Sequence, residues 1–90
     1  MARLLFTVED IWTIRGRGFV ISPGLVPQGD ERFRLGDRLE LRRPDGSVIV
    51  TKIEGWDLFH RGPNGEIEVL LEKSITRDQV PIGTEVWSVD

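Results

Sequence analysis

Ninety residues with no cysteine, ten glycines, five prolines and a formal net charge of −3 make one small domain, able to bury roughly 60–65% of the surface its unfolded chain exposes. The 39% hydrophobic and 30% charged content fits a soluble globular chain rather than a disordered tail. Lack of cysteine excludes disulfides, thiolate nucleophiles and cysteine–zinc sites and agrees with a reducing, cytoplasmic setting.

"MARLLFTVED" reaches Glu9 and Asp10 before its apolar residues grow into a signal peptide or a membrane span, so no membrane role is expected. Proline and glycine then punctuate the chain about every ten residues, the rhythm of an all-β barrel or sandwich. Residues 3–15 read as one long strand. Leu4, Phe6, Val8, Trp12 and Ile14 fall on one face, and Arg3, Thr7, Glu9, Thr13 and Arg15 on the other. Asp10 is the one polar residue on the apolar face and marks a bulge, which so long a strand usually needs.

Residues 17–22 form a second strand. "SPGLVPQGDERF" reads as a loop, within which Leu25 and Val26 are the one short strand candidate. "GDRLELRR" alternates Leu39 and Leu41 against Arg38, Glu40 and Arg42; "RPDGS" makes a turn, with Pro44 second and Gly46 at a position that tolerates positive φ. "SVIVTKIEGW" is the next strand, "GPNGE" a second turn, and "EIEVLLE" a strand with Ile67, Val69 and Leu71 inward and Glu66, Glu68 and Glu72 on a solvated outward stripe. "SITRDQVPIG" is the only helix-like stretch, one turn capped by Ser74 or Thr76 and stopped by Pro81. "TEVWSV" closes the chain as a strand.

Few chemistries survive. Gly16 and Gly18 lack the third glycine of a dinucleotide fingerprint, since Ile21 stands in its place and strand residues follow where a helix should. They serve instead to turn a strand sharply. Glu9 and Asp10, adjacent in sequence, point to opposite faces of a regular strand and make no ready catalytic pair. His60, beside Asp57 and Arg61, lacks the nucleophile and the co-ligands that a catalytic or metal site needs. No catalytic residue, metal or cofactor is expected, and no small-molecule substrate. Residues 15–43 hold seven arginines against four acids, and residues 44–90 four basic groups against nine acids, so the chain has a basic and an acidic half.

The residues "VEDIWTIRGRGFVISPG", "LVPQG" and "FRLGDRLEL" resemble the second, β-barrel domain of translational GTPases of the elongation factor Tu type. Glu9, Asp10, Trp12, Ile14, Gly16, Arg17, Gly18 and Val20 match that family's first motif; Gly24, Val26 and Gly29 match the next, and Gly36 the third. Ile53 and Glu54 look like its Val-Glu, and "IEVLLEKSITRDQVPIGTEV" like its closing strands. The chain departs from the pattern at Pro23, at "GDERF" and at "GWDLFHRG", and these ninety residues hold no P-loop of a GTPase domain. The resemblance implies a small closed Greek-key β-barrel of six to seven strands with one short helical turn, acting as a stand-alone domain. In the family that barrel helps hold the aminoacyl end of transfer RNA or meets ribosomal RNA, which makes Glu9, Asp10, Trp12 and Glu54 candidate contacts.

Two functions stay open. One is a non-catalytic module binding RNA or a ribonucleoprotein in a translation-related role, with Arg15, Arg17, Arg42 and Arg43 on phosphates and an exposed aromatic for stacking. The other is a protein–protein adaptor that joins a separate GTPase or a second copy of itself.

Overall fold

The computed structural model describes residues 2–57 and 65–89. Expectations for Phe59, His60, Arg61 and most of the "GPNGE" turn lie outside them. Among the described residues, seven antiparallel strands carry the fold: β1 Leu4–Thr7, β2 Asp10–Ile14, β3 Gly18–Leu25, β4 Arg38–Arg42, β5 Val48–Asp57, β6 Ile67–Leu71 and β7 Glu85–Ser88. A single 3-10 turn among the described residues, Arg77–Gln79, precedes β7.

The strands are ordered β1-β7-β4-β5-β6-β3-β2. Strands β4, β5 and β6 form a meander, and β3 lies beside β6 after the long β3–β4 connection, which is a Greek-key arrangement. The two ends of the order, β1 and β2, are consecutive halves of one stretch of chain. Val8 donates to Thr84 O at 2.8 Å and Glu9 to Ser22 O at 2.9 Å, so the chain leaves one margin of the sheet and joins the other within two residues. That crossing curls the sheet into a half-barrel whose margins β1 and β2 are joined by the chain rather than paired with each other. Its interior holds Phe6, Val8, Ile11, Phe19, Ile21, Leu25, Leu39, Leu41, Ile53, Val69, Leu71, Ile75, Val80 and Val86. Removing such a side chain, as in Leu41→Ala, typically costs about 2–5 kcal/mol.

The bulge expected at Asp10 is present. Asp10 is the partner of Ser22, and Glu9 also donates its amide to Ser22 O, so two residues face one. The extra residue shifts the inside–outside phase by one. Ile11, not Trp12, therefore enters the core, and Trp12 is 54% exposed. Leu4 also lies outside the barrel. The single-phase reading of residues 3–15 is corrected on both points.

Two more readings change. Ser22–Leu25 continues β3 rather than beginning a loop, with a cis peptide before Pro23. Gly24 makes this possible, because a Cβ there would come within 2.2 Å of Ile67 O on β6. Only a residue without a side chain lets the two strands approach so closely. Glu66 and Glu68, read as a solvated stripe, are only 9% and 6% exposed. Strand β6 runs between β3 and β5, and its outer-face residue Leu70 is buried as well. Alternation predicts which face a residue takes, but not whether that face is covered.

Local chemistry sets the remaining elements as expected. Gly46 donates to Arg43 O at 2.9 Å in the turn between β4 and β5. Thr76 is the cap of the 3-10 turn, its amide donating to Gln79 Oε1 at 2.8 Å. Among the described residues, no helix is long and apolar enough to cross a membrane.

Candidate functional site

The hairpin joining β2 to β3 organises the most distinctive surface. Arg17 donates its amide to Ile14 O at 3.0 Å; Gly16, at φ 81°, and Gly18, at φ 114°, supply the positive angles of a tight corner. That corner is the role expected of the two glycines. It also sets Arg15 and Arg17 out in solvent on either side of Gly16.

Register then aligns a row of residues across the outer face. Trp12 on β2 lies opposite Val20 on β3, Val20 opposite Leu70 on β6, and Leu70 opposite Gly55 on β5. Val20 and Leu70 are buried in this row, although they stand outside the main core. Arg17 reaches across it, and its Nη2 lies 3.5 Å from where a Cβ on Gly55 would stand. The glycine leaves the space that the guanidinium uses. The result is a strip with an exposed indole at one end and a guanidinium at the other.

The acids expected beside Trp12 are arranged differently. Asp10 Oδ1 accepts the amide of Ile11 at 2.8 Å, so one of its oxygens already serves the backbone. Glu9 is exposed at the bulge. Glu54 is exposed at the irregularity between Ile53 and Gly55 on β5, and three inter-strand spacings, roughly 14 Å along the sheet, separate β2 from β5. Glu9 and Asp10 occupy one end of β2, and Arg15 and Arg17 the turn at its other end. Charge is therefore divided along β2, acids at one end and arginines at the other, with Trp12 midway.

Among the described residues, Arg15 and Arg17 make no ion pair. Arg42 and Arg43 differ. The Arg42 Nε donates to Glu40 Oε1 at 2.6 Å, and its guanidinium carbon lies 3.9 Å from the centroid of the Trp87 ring. Arg43 Nε donates to Ser47 Oγ at 2.6 Å. Both are tied into the surface of the opposite sheet segment, a commitment the sequence pattern did not signal.

Among the described residues, no group of three or more His, Asp or Glu side chains could hold a metal ion. An apolar cleft of about 230 Å³, lined by Leu25, Pro27, Phe33, Trp56 and Ile67, contains no ionisable side chain. No protein-family model and no solved structure matches the chain.

Proposed function

We propose that this protein is a non-catalytic binding module for RNA or a ribonucleoprotein, as its resemblance to the elongation-factor barrel implies, and that the contact runs through the strip from Trp12 to Arg17. The observation that carries the reading is the 54% exposure of Trp12 on the strand whose turn projects Arg15 and Arg17 without carboxylate partners. An aromatic face beside unspent guanidinium groups is the combination that single-stranded nucleic acid uses, bases stacking on the ring and phosphates meeting the cations. Arg15 and Arg17 carry the phosphate contacts here; Arg42 and Arg43 are already engaged.

The test is binding of a labelled single-stranded RNA over a salt series. Affinity should fall steeply with salt, and removing one phosphate-contacting arginine should reduce the logarithmic slope by about 0.7. Affinity that does not change with salt would overturn the proposal.

A second reading rests on a different face. Val48 and Val50 are 51% and 58% exposed on β5, and Val50 continues across Glu40 and Trp87 to Leu4. These exposed valines, with Leu4 beyond Glu40 and Trp87, favour a protein–protein adaptor. Capture of a defined protein that survives ribonuclease would support it over the RNA reading.

A further inference from the structure

The β3–β4 connection folds against the start of β4 and the end of β7, where Leu39 lies opposite Ser88, and encloses a cleft of about 310 Å³. Small-molecule sites begin at about that size. Phe33 and Val89 give it apolar wall, and Leu39 closes it from the core side. Its other lining groups divide into those already satisfied and those that are not.

The satisfied groups come first. Glu31 is ion-paired with Arg3, whose Nε lies 2.8 Å from Glu31 Oε2. Asp37 Oδ2 accepts the Arg34 amide at 2.9 Å. Ser88 Oγ accepts the Arg3 amide at 2.9 Å. Two guanidinium groups remain, Arg32 and Arg38, both exposed and neither in an ion pair among the described residues.

Register adds a second observation. Arg38 lies directly opposite Lys52 on β5, and like charges facing each other across a ladder are destabilising. Glu40, the acid nearest along β4, is taken by Arg42, and Glu54, two residues beyond Lys52, pairs with neither cation. Arg32 and Arg38 therefore line a polar–apolar cleft in which Glu31 is already ion-paired and Asp37 accepts a backbone amide, and Lys52 stands beside Arg38 on β5. A bound anion would relieve their repulsion, and arginine pairs with phosphate through two parallel hydrogen bonds.

We infer that this cleft binds a small phosphate monoester, its anionic group held by Arg32 and Arg38 and its apolar portion lying against Phe33 and Val89. The sequence did not flag these residues, because an arginine reads as solvated surface until its neighbours are known. The inference does not depend on the RNA reading, which concerns the strip from Trp12 to Arg17.

The experiment is an amide NMR titration of the full chain with adenosine 5′-monophosphate, inorganic phosphate and adenosine. The monophosphate should shift Phe33, Leu39 and Val89, inorganic phosphate should shift the same amides more weakly, and adenosine should leave them in place. Arg38→Ala should weaken the monophosphate by about tenfold or more. Arg34→Ala, outside the cleft lining, should have no effect. Arg32→Ala gives an independent reading should the Arg38 variant not fold, which its own spectrum would reveal. The inference is overturned if the monophosphate moves no cleft amide, if it moves those around Trp12 and Arg17 instead, or if Arg34→Ala weakens it as much as Arg38→Ala does.

Discussion

Asp10 Oδ1 accepts the amide of Ile11 at 2.8 Å, and β2 stands at the end of the strand order with a single strand neighbour. An unused edge amide is a template on which another chain can pair; here the carboxylate occupies it. Asp10→Ala is expected to cost about 0.5–1.5 kcal/mol in chemical denaturation and to raise concentration-dependent association in light scattering. Asp10→Asn keeps an acceptor and should remain close to wild type in both. An alanine variant as stable and as monomeric as wild type would deny the carboxylate this role.

Trp12 and Trp56 should separate binding from stability. Trp12 is exposed, whereas Trp56 packs against the core. Trp12→Ala is expected to leave the melting temperature nearly unchanged while weakening RNA binding by about 1–3 kcal/mol per stacked base. Trp56→Ala should lower stability by about 3 kcal/mol or more. Equal loss of stability in the two variants would contradict the phase assigned to β2.

Gly24→Ala is expected to be among the most damaging small substitutions. Its Cβ would meet Ile67 O at 2.2 Å, on a backbone with φ 115°, so β3 and β6 would have to part. A loss of about 2–4 kcal/mol is expected from urea denaturation. A loss below about 1 kcal/mol would mean the two strands separate easily at this point.

The Arg3–Glu31 pair links the first strand to the β3–β4 connection. The hydrogen bond from Arg3, followed by the Gln28 amide and the nearby charge, holds the Glu31 carboxyl below its ordinary range, outweighing the opposing effect of burial. A depressed carboxylate pKa stabilises the fold above the unfolded-state value of about 4.3. That contribution is lost as pH falls through the lower folded-state value. The Glu31→Gln variant should therefore differ from wild type most at neutral pH, with the two melting curves converging in acid. A gap that stays constant with pH would show that the carboxylate's charge is not involved.

Period-two alternation and turn chemistry made much of the fold legible. Leu39 and Leu41 against Arg38 and Arg42, the Pro44–Gly46 turn and the Thr76 cap are local patterns, and each lies where the sequence placed it. The misreadings arise where a long-range contact decides. The bulge shared by Glu9, Asp10 and Ser22 reverses the phase after Val8, and nothing in "DIWTI" alone says whether Ile11 or Trp12 faces inward. Ser22–Leu25 contains the proline and glycine of a loop, yet it pairs with β6 because Gly24 admits Ile67. Glu66 and Glu68 alternate like surface residues but lie beneath cover. The candidate contacts Trp12, Arg15 and Arg17 were legible as residues. The row that links them across Val20, Leu70 and Gly55 required the register.

Strand β1 meets β7 through contacts as distant as Arg3 with Ser88, 85 positions apart, whereas β4, β5 and β6 are sequential neighbours. The entropy of closing a large loop must be met before such a distant contact returns any energy, and topologies dominated by distant pairings fold slowly, typically in milliseconds to seconds. The meander can form while residues 3–14 are still searching. Until that stretch docks, the margins of β7 and β3 both stand open, so the barrel's slowest step is also its moment of greatest exposure to association with other chains.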